Sequence, residues 1–403
     1  MMFSDGISVT VRGGLKSVSA LTAMSFASLP RRLGTASVVV LGIAGVVAVL
    51  IAVLAMGTGI DRSIAGSGRD DRALVLRAGA GLELLSLLNR PQVTAIVEAP
   101  GVKRDQQSRP IASAEALALV ELRLADDTPV NVPLRGVSRT EALRPEITIS
   151  AGRMFRPGVP EIIVGEAAQA QFRNLHVGAR LTTREAAWEV VGTFSNSGNL
   201  RDSELLTDAD MVMSAYQRKT YQSVLVQLQS PAEFANFAAA LAADPSLQVD
   251  VMRESGYYAS LAQPLSNSFR RLAYLVGGIM AAGALFATLS CVHAAVSSRA
   301  REIATLRALG FGAPAVVCAV ILETLLLALL GGGIGIGLCW LGFSGKTLST
   351  SGGGLVQMTY NMAVTAWPIV IGLLWAAAIG VLAGLLPAVH AARQPIPVGL
   401  RAI

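Results

Sequence analysis

The feature that most constrains this chain is where its charges are not. No charged residue falls between Arg32 and Asp61, a gap of 28 residues whose core, Ala36 to Met56, is Val, Leu, Ile, Ala and Gly with few interruptions. A second uncharged gap of 27 residues runs from Leu272 to Ser298. A third apolar stretch, Ala313 to Leu341, carries only Glu323, and a fourth runs from Ala363 to Val389. At ~1.5 Å per residue, about 20 apolar helical residues cross a bilayer, so each stretch is long enough to span one. The first exceeds the apolar core of a cleavable signal peptide and follows a long polar segment, so it reads as an uncleaved anchor. Charged residues make up 15% of the chain, against about 25% in soluble domains. One large water-soluble globule is thereby excluded.

Between Asp61 and Arg271 the charges nearly cancel, at −1, and the rest of the chain carries +7, giving the overall +6. No basic stripe with interleaved aromatics accompanies this excess, so no nucleic-acid partner is expected. The excess instead flanks the apolar stretches. Arg12, Lys16, Arg31 and Arg32 precede span one, Arg299, Arg301 and Arg307 separate spans two and three, and Arg393 and Arg401 follow span four. The short segment Phe343 to Asn361 has only Lys346. Because Lys and Arg are retained on the cytoplasmic side, both termini and the 299–310 loop are expected there, with the polar domain outside. Tyr274, Trp340 and Trp367 then fall at the outer interface. Cys291, Cys318 and Cys339 all lie in spans and read as small packing residues. The outer domain, with no disulfide to staple it, must be held by its core.

Within that domain, β-rich alternation marks Ala73 to Arg77, Leu117 to Leu124, Val130 to Val137, Glu161 to Val164, Trp188 to Phe194, Ser223 to Gln229 and Leu247 to Met252. Ser230, Pro231 and Glu233 spell a capping box ahead of Phe234, Phe237 and Leu241. The pattern predicts a mixed α+β domain with residues 145–200 as an inserted subdomain. Tyr257 to Arg271 reads as helix continuing into span two, as a stalk.

Familiar catalytic chemistry is missing from the pattern. His176, His293 and His390 are too scattered for a zinc site, and His293 reads as a packed or hydrogen-bonded histidine rather than a proton relay. No Gly-x-Ser-x-Gly elbow occurs. Gly345-Lys346-Thr347 copies the end of a phosphate-binding loop, but the motif's first glycine would be Trp340 and the segment follows a span instead of a strand. No metal or cofactor is expected on this chain, and it is not expected to be an enzyme.

The apolar stretches carry their own signals. Gly331, Gly332, Gly333, Gly335 and Gly337 crowd span three, and Gly380 and Gly384 lie in span four. Small residues at spacings of four suit close helix contact, either within one chain or in a dimer. Glu323 is the one acidic residue in any span. An ionised carboxylate there costs roughly 2.5 to 3.5 kcal/mol on translocon scales, so it should face protein. It is expected to bond a neighbouring helix or a backbone carbonyl, since a proton relay needs more ionisable partners. The 299–310 loop has helix formers ending at Gly310. Ile303, Leu306 and Leu309 recur every three residues, and Arg299 and Glu302 are spaced to pair. An ordinary basic loop on lipid would explain the arginines but neither Glu302 nor the apolar edge, which suit a protein cleft.

The run SRAREIATLRALGFG, then Glu323, the glycine-rich third span and the closing GLLPAVHAARQPIPVGLRA resemble the permease family that includes FtsX, LolC/LolE and MacB. The closing motif comprises Gly384, Pro387, Ala388, Ala391, Ala392, Arg393, Pro395, Leu400 and Arg401. The likeness to the FtsX-type membrane domain covers about 275–400. Span one with Gly152-Arg153-Met154-Phe155 and Glu161-Ile162-Ile163-Val164-Gly165 resembles the MacB-type periplasmic core. The fold this implies is an α-helical membrane protein with four transmembrane helices plus an α+β extracytoplasmic domain inserted between the first and second spans. The expected divisions are a cytoplasmic amphipathic segment at 1–34, span one at 35–60, the MacB-like domain at 61–265, and stalk plus span two at 266–298. A coupling helix at 299–312, span three at 313–341, an outer loop at 342–362, span four at 363–389 and a tail at 390–403 follow. In the first segment Leu15, Val18, Leu21 and Met24 make a modest apolar stripe.

The resemblance further implies a permease subunit of an ATP-binding cassette transporter in a bacterial inner membrane, working by mechanotransmission. Its partners would be a separate ATPase subunit holding ATP and Mg, a second permease copy in a homodimer, a periplasmic adaptor and membrane lipids. Arg301, Glu302, Ile303, Leu306, Arg307, Leu309 and Gly310 would form the coupling element. The cargo would be a lipid, lipoprotein, peptide or hydrophobic small molecule. Two alternatives remain open at this stage: an FtsX-like regulator of an extracytoplasmic enzyme that transports nothing, and a secondary transporter using Glu323.

Overall fold

The computed structural model describes residues 33–124, 126–138, 143–196, 199–309, 312–343, 347–352, 356–361 and 364–395. The expected N-terminal stripe, Gly310, Lys346, Leu400 and Arg401 lie outside the described residues. In chain order the elements are helix α1 (Leu33–Ala65), β1 (Arg72–Arg77), α2 (Arg90–Val97), β2 (Ala112–Arg123), β3 (Pro129–Val137), β4 (Thr148–Gly152) and β5 (Glu161–Gly165). Then come α3 (Glu166–Gln171), β6 (Arg180–Thr182), β7 (Ala187–Ser195), β8 (Leu205–Asp208), α4 (Ala209–Ala215), β9 (Ser223–Gln227), α5 (Phe234–Ala242) and β10 (Val249–Arg253). The chain closes with α6 (Glu254–Ser298), α7 (Ala300–Ala308), α8 (Ala313–Phe343), the pair β11 (Thr347–Gly352) and β12 (Val356–Asn361), and α9 (Ala366–Arg393). Four helices, α1, α6, α8 and α9, are long and apolar enough to cross a membrane. The α+β domain is inserted between the first and second of them.

The chain divides into two compact units. One comprises 1–58, 267–345 and 363–403, and the other 59–266 with 346–362. The second unit is built on a ten-stranded mixed sheet of order β10-β1-β9-β2-β3-β8-β5-β7-β4, with β6 on β7. Strand β2 is shared by two lobes: Ala112 to Glu115 pair with β9, and Ala116 to Arg123 pair with β3. One lobe buries Val75, Leu88, Ile96, Val224, Val226 and Phe237 under α2 and α5. The other buries Val120, Leu134, Ile162, Val164, Trp188 and Leu205 under α3 and α4. This second lobe is wider than residues 145–200, because β2 and β3 supply its first strands. The stretch 343–361, expected as a plain loop, contains the antiparallel pair β11–β12, with Thr347 opposite Asn361. That pair belongs to the same compact unit as the α+β domain.

Two local expectations change. Ser230 makes no side-chain cap; Pro231–Glu233 form a 3-10 turn, and α5 starts at Phe234. The Glu233 carboxylate accepts from Asn236 Nδ2 at 3.0 Å instead. A reciprocal capping box stands at α2, where Asn89 Oδ1 accepts from the Gln92 amide at 2.9 Å and Gln92 Oε1 from the Asn89 amide at 3.0 Å. Asn89-Arg90-Pro91-Gln92 carries the same chemistry with amides in place of hydroxyl and carboxylate.

In the helical unit, glycines decide how closely the spans approach. A Cβ on Gly331 would lie 2.6 Å from the Val40 carbonyl oxygen, and one on Gly335 2.6 Å from that of Ala44, so both give α8 its contact with α1. A Cβ on Gly380 would meet the Ala328 Cβ at 2.7 Å, and one on Gly384 the Thr324 hydroxyl, so both seat α9 on α8. Gly333 and Gly337 face nothing within 4 Å. Gly332 lies against Ala376 of α9, so the two readings of the glycines are divided between faces: five pack within the chain, and two are left on an outer face of span three. Cys339 is buried, and its Sγ donates to the Ala48 carbonyl at 2.9 Å.

Candidate functional site

The loop between spans two and three is ordered as a nine-residue helix, α7, held at both ends by arginines. At its start, Arg299 Nη1 lies 3.4 Å from Glu323 Oε2 on α8, with the two side chains 13% and 20% exposed. Glu323, the one acidic residue within the apolar stretches, is therefore paired with the residue that precedes α7. At the other end, Arg307 Nη1 donates to the Gln394 carbonyl at 2.5 Å, closing the C-terminus of α9. A guanidinium at a helix C-terminus satisfies an orphan carbonyl and opposes the negative end of the helix dipole. Both tethers are charge-assisted.

The apolar edge expected for docking is only partly available. Ala304 is buried, Leu306 packs against Ala315 and Ala319 of α8, and Ile303 is half-buried beside Arg307 in a groove against α6 and α9. Leu309 remains 73% exposed. Arg301 and Glu302 are exposed, together with Thr305 and Ala308. Thus the outward face of α7 is Arg301, Glu302, Thr305, Ala308 and Leu309, while Ile303, Leu306 and Arg307 hold it down. Thr305 and Ala308 were absent from the sequence expectation. A spacing of three marks the apolar residues but does not say which of them the neighbouring spans consume.

Two family models match this chain: the MacB-like periplasmic core domain over residues 33–244 and the FtsX-like permease C-terminal domain over 274–396. The chain belongs to the FtsX/MacB-type permeases. It is accordingly a multi-pass membrane protein of a family of membrane subunits. A relative described as an uncharacterized ABC transporter permease, YknZ of Bacillus subtilis (strain 168), is 26% identical over 227 residues, which cover 51% of this chain and 52% of that one. The permease thus spans about half the length of the curated relative it matches. Among solved structures, the extracellular domain of the noncanonic ABC-type transporter YknZ from Gram-positive bacteria is similar at 15% identity and a TM-score of 0.35, covering 45% of this chain and all of that one. The periplasmic region of MacB from Actinobacillus actinomycetemcomitans is similar at 11% identity and a TM-score of 0.36, covering 49% and 93%.

The permease's α+β domain gives the motif residues physical roles. Gly152 ends β4 at a φ of +76°, where a Cβ would collide with the Val191 carbonyl. Arg153 then forks onto Glu161 at 2.6 and 2.8 Å, and Arg156 reaches the same carboxylate at 2.6 Å. These bonds, Arg153 first, hold the Glu161 carboxyl well below the usual carboxylate range. Phe155 fills a small core with Ile163, Val191, Phe194 and Leu206.

A larger charged cluster was not anticipated from sequence. Arg135 of β3 donates to Glu83 at 3.0 Å, Glu115 at 2.8 Å and Glu204 at 2.9 Å, all four being buried. Arg201 reaches Glu254 at 3.2 Å and the Tyr258 hydroxyl at 2.8 Å, while Arg72 bridges Glu254 and Glu146. Arg144 stands 2.6 Å from Glu115. Burial alone would raise the Glu115 carboxyl, but Arg144, Arg135 and Arg201 outweigh it and bring it down to about 2. Glu204 is likewise pushed up by burial but held below its ordinary value by Arg135 and Arg201. The cluster joins β1, β2, β3, the 3-10 turn at 200–203 and the first turns of α6. The available signal was a charge inside an apolar run, as in Ala112-Ser113-Ala114-Glu115-Ala116-Leu117 and Val132-Pro133-Leu134-Arg135.

Proposed function

We propose that this permease is the membrane subunit of an ATP-binding cassette transporter, with ATP and Mg held by a separate ATPase chain. In this reading α7 is the coupling helix. The observation that carries it is the division of α7 into a tethered inner face and an outward face of Arg301, Glu302, Thr305, Ala308 and Leu309. A short helix pinned at both ends moves with spans three and four as one body, so a push on its outer face reaches those spans without being lost in a flexible loop. The α+β domain would receive that motion outside the membrane and act on a lipid, lipoprotein, peptide or hydrophobic small molecule, with or without a periplasmic adaptor.

Two further observations support the reading. The β11–β12 pair shares a compact unit with the α+β domain, as alternation of four spans requires if both lie on the extracytoplasmic side, leaving α7 and both termini cytoplasmic. Gly333 and Gly337 leave a small-residue face on span three, suited to close contact with a second copy. Against a secondary transporter worked by Glu323 stands the pairing of that carboxylate with Arg299.

The test is co-purification from the native membrane. Glu302→Arg is expected to leave insertion and folding intact, since Glu302 is exposed, and to abolish recovery of the ATPase chain. Normal ATPase recovery with that variant would overturn the coupling role.

A further inference from the structure

The groove where α6, α7 and α9 meet holds the Arg307–Gln394 tether, and its two histidines have no part in the coupling reading. It is partly open, with a cavity volume of about 20 Å³, room for a water-sized body. His293 of α6 and His390 of α9 face each other across it with ring centroids 6.0 Å apart, tilted by 51°. Both are exposed, as is Ser297, which also lines the groove. Arg307 completes the lining, its guanidinium held in place by the bond to the Gln394 carbonyl. An imidazole offers an N–H in either neutral tautomer, and Arg keeps further N–H donors after one is spent.

The described lining is apolar apart from His293, Ser297, Arg307, His390 and Gln394, so its polar groups gather around one fixed positive charge with no carboxylate among them. A divalent cation could take two imidazoles but would face Arg307 with nothing to offset it. No group of three or more His, Cys, Asp or Glu suited to a metal occurs among the described residues. An anion fits the charge, and a phosphate fits the spread of donors.

The surroundings say how that phosphate is carried. Leu382, Leu386 and His390 are spaced by four on α9 and share one face, with the leucines 55% and 66% exposed. On α6, Phe286, seven residues before His293, is 69% exposed. His390 thus tops an exposed apolar row on span four, and His293 lies two turns from an exposed Phe286 on span two. An acyl chain lying on that row would bring its headgroup to the groove.

We propose that this groove binds the phosphate of an anionic phospholipid, gripped by His293, His390, Ser297 and Arg307 at the joint between α7 and the ends of spans two and four. Basic pockets between spans at the headgroup level are a recurring way to hold such lipids. The site does not depend on the ATPase reading, because binding is measured on the permease alone.

The test uses the full chain in nanodiscs of phosphatidylcholine alone, of phosphatidylcholine with phosphatidylglycerol, and of phosphatidylcholine with inorganic phosphate in the buffer. Retained lipid is read by native mass spectrometry and stability by the thermal midpoint. Phosphatidylglycerol is expected to be retained and to raise the midpoint, and inorganic phosphate to do neither. In the His293→Gln/His390→Gln double variant, apparent phosphatidylglycerol affinity should fall about tenfold, while His176→Gln, in the α+β domain, keeps it. Should the double variant fold poorly, each single variant is expected to lose part of the affinity. Equal retention by parent and His variants, no preference for phosphatidylglycerol over phosphatidylcholine, inorganic phosphate replacing the lipid, or zinc chloride giving the same stabilisation would each overturn the proposal.

Discussion

In the α+β unit, Arg72, Arg135, Arg144 and Arg201 are each 3% exposed or less and share buried carboxylates drawn from across the domain. In the helical unit, the described acidic residues are Glu302, which is exposed, and Glu323, which pairs with one arginine. The first arrangement makes many segments depend on a few ions. The second leaves the spans held by apolar packing and glycine contacts, and places its described carboxylates at the short helix α7. Charge thus specifies the interior of one unit and the joint of the other.

The largest expected effect breaks the first arrangement. Arg135→Met removes the common partner of Glu83, Glu115 and Glu204 and leaves buried carboxylates uncompensated, which costs about 3–5 kcal/mol. The urea midpoint of the α+β transition in the purified permease should fall accordingly. An unchanged midpoint would mean that Arg144 and Arg201 suffice to hold those carboxylates.

Acid acts on the same cluster with a definite sign. The Glu115 pKa is about 2 in the folded state, against an ordinary value of 4.5. A depressed carboxylate stabilises fully above its unfolded pKa and loses that contribution as pH falls through the folded value, so the loss runs from near pH 4.5 down to about 2, amounting to about 3 kcal/mol. The α+β transition should therefore hold steady from pH 7 to 5 and weaken steeply only below 4. Loss beginning near pH 6 would point to a different group.

Within the helical unit, Gly335→Leu drives a side chain into the Ala44 backbone and should destabilise the spans by about 1–3 kcal/mol, seen as a lower thermal midpoint in detergent. Gly337→Leu, with open space around its Cβ, should leave the monomer's midpoint unchanged. Similar behaviour of the two variants would contradict the division of glycine faces. The smallest effect is expected for Arg299→Gln, which breaks a partly exposed ion pair worth about 1 kcal/mol or less. A collapse of the helical unit in that variant would show Glu323 to be far less tolerant of losing its partner than the geometry indicates.

The four spans were legible because long uncharged runs admit few other folds, and seven strands were legible from β-rich alternation. The short strand β8, Leu205–Asp208, has too few residues to show a period, and β4 is exposed along its length. The hairpin β11–β12 hides in a Gly/Ser/Thr-rich segment that reads as loop. The charged cluster was invisible for a different reason: Arg72 and Glu254 are separated by 182 residues, and pairing at that distance is a property of the sheet order. At the candidate site, a helix between spans two and three and the contact of Glu323 with protein were readable from sequence. Which residues of α7 face outward did not, because Ile303 and Leu306 look as free as Leu309 until α6, α8 and α9 are packed around them.

That outward face can be tested residue by residue. A photo-crosslinking amino acid at Thr305 or Leu309, introduced into the permease in its native membrane, should capture an ATPase chain, whereas the same probe at Ile303 should react within the permease itself. Capture of no ATPase from either outward position, or its capture from Ile303 alone, would contradict the account.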